Sequence, residues 1–131
     1  DCMGFHMFVL DVDRMKYLKN AYNCLNAHAP MLFFRETYRE NAPNDKIETI
    51  EQWKSITGDD YDTPQIRTAH QNGMDIEVNI PLVPARARTK DGYLHEMKEA
   101  GFYVEDFVEM DINEQCVYSV SIFVRKTNMI G

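Results

Sequence analysis

The C-terminal part of the chain leaves little conformational freedom. Phe102–Met110 (FYVEDFVEM) and Cys116–Lys126 (CVYSVSIFVRK) are rich in β-branched and aromatic residues, the types that pack well on a pleated surface. Between them lies the polar stretch Asp111-Ile112-Asn113-Glu114-Gln115, which suits the loop of an antiparallel hairpin. Just upstream, Tyr93–Ala100 has a helical pattern and stops at Gly101, a residue that takes the left-handed geometry of a helix end without steric cost. The tail is therefore predicted as helix, strand, strand.

Upstream, Met15, Leu18, Tyr22 and Leu25 recur at helical spacing within Asp11–Ala27, and Asp11 and Asp13 sit where they favour the positive end of a helix dipole. His28-Ala29-Pro30 ends this helix, because a proline disfavours helical geometry in the residue before it. Met31–Phe34 is a continuous apolar run leading into Arg35-Glu36-Thr37-Tyr38. This predicts a strand buried on both faces whose end emerges into solvent. The middle, residues 39–90, is less regular. Ile47, Ile50 and Trp53 predict a short helix from near Asp45 to Gly58, residues 59–64 form a polar break, and Met74–Val83 alternates as a strand that Pro81 and Pro84 confine to an edge. The whole is predicted as one α/β domain over residues 1–131. It has a parallel sheet ending in an antiparallel hairpin, helices flanking that sheet, and an inserted cap or lid over residues 39–90.

At 131 residues the chain holds one domain at most, and is short for a complete doubly wound cofactor-binding enzyme. Apolar residues at 44% and charged residues at 27% place it among folded rather than disordered chains. The net charge of -7 argues against a general nucleic-acid surface, which needs clustered cations. The one basic cluster, Arg86-Ala87-Arg88-Thr89-Lys90, is either a solvated loop or a site for an anionic substrate group. Cys2, Cys24 and Cys116 have no paired spacing, which fits a reducing, cytoplasmic compartment and no metal site. No apolar run approaches the roughly 20 residues that span a bilayer, so no membrane contact is expected. The chain opens on Asp1 rather than a methionine and is expected to be an excised or processed piece.

Four stretches carry a resemblance that covers nearly the whole chain. Asp1-Cys2-Met3-Gly4-Phe5-His6, the helix from Asp13-Arg14 to Leu25, Met31-Leu32-Phe33-Phe34 with Arg35-Glu36-Thr37, and Leu94-His95-Glu96-Met97-Lys98-Glu99-Ala100-Gly101-Phe102 follow one another in a set order. In that order they resemble the C-terminal half of a class I S-adenosylmethionine-dependent methyltransferase, from the end of its fourth strand to the helix-Ala-Gly-Phe junction into its sixth. Cys116–Lys126 would be the seventh strand. The resemblance implies a partial Rossmann-like fold. Asn26-Ala27-His28-Ala29-Pro30 stands where the family has a Pro-Gly-Gly-like turn. The glycine-rich nucleoside loop of the family has no counterpart, since Gly4, Gly58, Gly73, Gly92, Gly101 and Gly131 include no G-x-G spacing.

The resemblance further implies that the chain is the acceptor-side portion of an enzyme that methylates a small molecule. It would bind S-adenosyl-L-methionine only if the missing N-terminal half is supplied. Asp1 and Phe5 would touch that cofactor, and His6, at the carboxyl end of the fourth strand, would orient the acceptor or take its proton. Glu36, Thr37 and Tyr38 would contact the acceptor from the end of the next strand, and Arg86 and Arg88 would bind a substrate carboxylate or phosphate. Trp53 and Tyr61 belong to a lid or to packing, and His70 and His95 to the surface. Loss of the first strands would expose a sheet edge and an apolar face, so a homo-oligomer or association with the missing half is expected. Two other readings remain open: a non-catalytic α/β dimerisation or interaction module derived from a methyltransferase, and an unrelated small α/β enzyme.

Overall fold

The computed structural model describes residues 1–113 and 116–127. Glu114 and Gln115 of the inter-strand stretch, and Gly131, lie outside the described residues. The chain begins with an extended Asp1–Met3 and a 3-10 turn at Phe5–Met7. It continues through α1 (Asp11–Cys24), β1 (Pro30–Thr37), α2 (Ile50–Thr57), β2 (Gln65–Gln71), β3 (Met74–Ile80), α3 (Lys90–Glu99), β4 (Phe102–Ile112) and β5 (Val117–Lys126).

The main sheet has the order β1-β5-β4, and both pairings are antiparallel. Because β5 runs between β1 and β4 against both, the outer two point the same way. The predicted hairpin is β4–β5. Among the described residues, the predicted parallel pairing is reduced to two isolated bridges, Tyr38 with Arg88 and, at the outer edge of β1, Cys2 with Phe34. There the Phe34 N–H donates to the Asp1 carbonyl (2.9 Å) and the Met3 N–H to the Phe34 carbonyl (2.9 Å).

Among the described residues, helices cover one face of the sheet. Leu18 of α1 and Tyr93, Met97 and Ala100 at α3 pack on Phe33, Phe102, Val120, Ile122 and Val124. On the other face Leu32, Val108 and Phe123 remain 36, 37 and 39% exposed. The sequence expectation for β1 is corrected here: the strand is fully buried on one face, at Phe33, while Leu32 on the other is 36% exposed. Its end, in turn, does not emerge into solvent, since Glu36 is wholly buried.

Residues 39–90 build a second small core together with the start of the chain, from Val9, Ile47 and Trp53, with Leu10, Ile50, Ile56 and Tyr61 against it. The Asp11 N–H donates to the Ile47 carbonyl (2.9 Å), tying this core to the start of α1. Thr49 caps α2, its hydroxyl accepting from the Gln52 N–H (3.2 Å). β2 and β3 form a separate two-stranded antiparallel sheet. β2 is absent from the sequence reading because Ile66 and Ala69 are its only apolar residues. The Asn72-Gly73 turn, with φ of 53° and 76°, was its signal: two successive positive φ values close the tightest hairpins. β3 ends at Ile80, before Pro81 rather than at Val83.

Candidate functional site

The site forms where the 3-10 turn meets the end of β1. Asp1 holds the turn, its Oδ2 accepting from the Phe5 N–H at 3.0 Å. The turn drives Phe5 into the core, where its ring lies against Tyr17, Phe33 and Tyr93, and sets His6 beside β1.

β1 answers with a bulge. Phe33 pairs with Ile122 and Glu36 with Val120, so three steps on β1 match two on β5. Arg35, at φ 58°, takes up the extra residue, and its N–H donates to Ser121 Oγ (3.3 Å). Without the extra residue, Glu36 would share a face with Leu32. With it, Glu36 faces inward and is 0% exposed.

Glu36 Oε2 accepts from the His6 backbone N–H (2.9 Å) and lies 2.8 Å from His6 Nδ1. Nδ1 accepts from the Thr37 N–H at 3.1 Å, and the Thr37 carbonyl accepts from the Tyr93 hydroxyl at 2.6 Å. The ring is therefore fixed from two sides. Among the described residues His6 Nε2 makes no hydrogen bond, and Glu36 Oε1, buried, has no partner.

A second polar layer lies behind. Arg14, 1% exposed, binds Glu96 through two bonds, Nε to Oε1 at 2.7 Å and Nη2 to Oε2 at 2.9 Å. Its Nη1 donates to the Phe8 carbonyl (2.8 Å), and its guanidinium covers the Phe5 ring at 4.0 Å. Burial disfavours the Arg14 charge, yet the Glu96 carboxylate more than offsets this and holds its pKa above the ordinary value. Burial pushes the Tyr93 hydroxyl far above the usual phenol range. Burial, then the Glu36 carboxylate, raises Tyr17 as well.

Arg86 and Arg88 are buried, not solvated. Arg86 Nη1 bonds Asp11 and the Val9 carbonyl (2.9 Å), Nη2 bonds the Asp45 carbonyl (3.0 Å), and the backbone N–H donates to the His6 carbonyl (2.8 Å). Burial lowers the Arg86 pKa despite the Asp11 bond. Arg88 bridges Tyr38 through the backbone and lies 3.5 Å from Glu96. It also lines, with Arg14 and Glu96, a cavity of about 550 Å³ between α1, the segment at Asn44–Lys46 and α3.

The structure thus brings His6, Glu36 and the Arg86 backbone into contact, with Tyr38 and Arg88 adjacent to one another. Asp1 acts on the turn through its carboxylate. Phe5 exposes none of its surface, so its ring belongs to the core rather than to a contact surface. Sequence reasoning missed Arg14, Tyr93 and Glu96. The available signal was position: Arg14 and Leu18 share a helix face at i, i+4, and Glu96 and Tyr93 at i, i+3, so charged residues stand on stripes that also carry the core. Among the described residues no group of three or more His, Cys, Asp or Glu is placed to hold a metal, and no helix is long and apolar enough to cross a membrane.

The fold is similar to that of solved methyltransferases over part of their length. The chain is similar to an S-adenosylmethionine-dependent methyltransferase from Clostridium acetobutylicum, at 12% identity and a TM-score of 0.59, over 96% of this chain and 56% of that one. It is similar to a SAM-dependent methyltransferase from Methanosarcina mazei, at 12% identity and a TM-score of 0.56, over 97% and 57%. It is also similar to the glycopeptide N-methyltransferase MtfA, at 13% identity and a TM-score of 0.53, over 95% and 55%. The chain therefore spans little more than half the length of the solved structures it matches. No family model matches the sequence, and no curated protein matches it.

Proposed function

We propose that this chain is the C-terminal, acceptor-side portion of an S-adenosylmethionine-dependent methyltransferase acting on a small molecule, and that it is inactive alone. The observation that carries this reading is the lopsided coverage: almost all of this chain, but only 55 to 57% of its neighbours. The described residues do not fit the cofactor by themselves. Phe5 is buried, the Asp1 carboxylate is engaged by the turn, and no G-x-G loop exists to approach a nucleoside. Cofactor binding then depends on the rest of the fold.

In this reading His6 is the catalytic residue on the acceptor side. With Nδ1 accepting from the Thr37 N–H, a neutral ring carries its proton on Nε2, which orients the acceptor by donating to it; in the other tautomer Nδ1–H donates to Glu36 Oε2 and Nε2 is left to take the acceptor's proton. Glu36 is a positioning residue, Arg86 fixes the His6 carbonyl, and Tyr38 and Arg88 border the acceptor, with Arg88 suited to an anionic group. Residues 39–90 form the cap, and the protein works in the cytoplasm, apart from nucleic acid and membrane. A second reading, a non-catalytic interaction module, is favoured by the apolar sheet face at Leu32, Val108 and Phe123, which suits coverage by another polypeptide.

Calorimetric titration of S-adenosylmethionine, or its demethylated product, separates the two. It is performed on this chain and on a longer chain extended upstream of Asp1 with whatever its gene encodes there. Binding by the longer chain alone is the expected result. Binding by neither favours the interaction module, and binding by this chain overturns the claim that it lacks the cofactor grip.

A further inference from the structure

The hairpin β2–β3 stands outside the main sheet, and its two edges differ in a way that selects a partner. Its two-residue turn at Asn72-Gly73 fixes which backbone groups face across the hairpin. Gln71 pairs with Met74, Ala69 with Ile76 and Arg67 with Val78. In such a hairpin these are the pairs that exchange hydrogen bonds. The N–H and C=O groups of Ile66, Thr68 and His70 therefore point away from β3, as those of Asp75, Glu77 and Asn79 point away from β2. Among the described residues no other backbone segment bonds to either edge.

A lone two-stranded hairpin is marginal in water, whereas three or more strands make a stable sheet. A second copy of the chain supplies the extra strands if an edge is self-complementary. On β3, full antiparallel overlap with its own copy centres on Glu77. That sets Glu77 against the partner's Glu77, and like charges directly opposite are destabilising. On β2, full overlap centres on Thr68. It sets Thr68 against the partner's Thr68, Ile66 against the partner's His70 and Arg67 against the partner's Ala69, with no like charges opposed. The bonded positions in that register are the outward-facing ones. The pairing also covers Ile66, which is 63% exposed, and His70 stays beside Asp75 in its own hairpin.

We propose that the outer edge of β2 is a homodimerisation surface, joining two hairpins into a four-stranded antiparallel sheet about a two-fold axis at Thr68. The contact is isologous, so it closes at two copies. It rests on the hairpin alone and is independent of the methyltransferase reading, and cofactor titration does not bear on it.

The test is cross-linking. In a background with Cys2, Cys24 and Cys116 changed to serine, Thr68→Cys and Glu77→Cys are oxidised in parallel. A hydrogen-bonded antiparallel pair brings opposed Cα atoms to about 5.5 Å, within the range a disulfide spans. A covalent dimer at position 68 and none at position 77 is expected. Equal yields at both positions, or none at 68, would overturn the proposal. Sedimentation equilibrium of the unmodified chain against Thr68→Lys gives a second reading. The dimer dissociation constant should rise about tenfold or more. A monomer at every concentration, or a dimer indifferent to Thr68→Lys, would overturn the assignment to the β2 edge.

Discussion

At the scale of single residues, the buried polar groups behave as a set. Arg14 exposes 1% of its surface and its charge is neutralised by Glu96 through two bonds. Removing one member strands the other. Glu96→Ala should therefore cost about 3–5 kcal/mol in urea unfolding, and pairing it with Arg14→Met should recover most of that loss, since an apolar replacement of both partners relieves the desolvation. Tyr93 titrates by a different rule. Its folded pKa is raised by burial, so the fold favours the neutral phenol. That contribution is complete below about pH 10, the unfolded value, and is lost as pH rises from there toward the folded value. Tyr93→Phe gives up the bond to the Thr37 carbonyl, about 1 kcal/mol at pH 7. It should also lose less stability than the parent chain between pH 9 and pH 11. A parallel decline of the two urea midpoints would show that Tyr93 is not what limits alkaline stability.

At the scale of elements, what holds the α3–β4 junction is a single backbone conformation. Gly101 has φ of 99°, and a Cβ there would come within 3.0 Å of the Tyr22 ring. Gly101→Ala should lower stability by about 1–3 kcal/mol, read as a lower midpoint in thermal unfolding. This junction was legible in the sequence because Gly101 is followed at once by a β-branched and aromatic run, two signals that agree. α1 and β5 were legible for the same reason. β2 was not, because its edge position leaves polar residues on both faces and periodicity carries no information there. The end of β1 failed differently. The residues around Glu36 read as a strand leaving the core, since a reader counting by twos cannot see a bulge. The functional candidates divide along the same line. His6 was legible from its place after Asp1–Phe5, but its partner depended on a register shift, and the burial of Arg86 and Arg88 depended on contacts with Asp11 and Glu96 distant in sequence.

At the scale of the whole molecule, the sheet has one finished face. Leu32 and Phe123 lie opposite each other on the unfinished one, with Val108 nearby on β4, and this is where a larger assembly would close over the sheet. Anilinonaphthalene sulfonate should bind the native chain and fluoresce. The double variant Leu32→Ser, Phe123→Ser should dim that signal at a cost in stability of about 1–3 kcal/mol, because both side chains are more than half covered. An undiminished signal would mean that the dye reports another patch. The same double variant should leave cross-linking at Thr68→Cys intact, because the hairpin and the sheet face are separate surfaces.

The bulge at Arg35 has a bearing on how such a chain tolerates change. Whether Glu36 meets His6 is decided by parity, by how many residues separate it from Phe33, and hardly at all by what those residues are. Substitutions at Arg35 leave the count intact, and small polar residues such as asparagine also accept its backbone geometry. Deleting one residue there turns every later side chain of the strand to the opposite face at once, with no change in composition or hydrophobicity to announce it. For this strand the risk lies in frame, and lineages or libraries that vary its length would lose the histidine's partner in a single step.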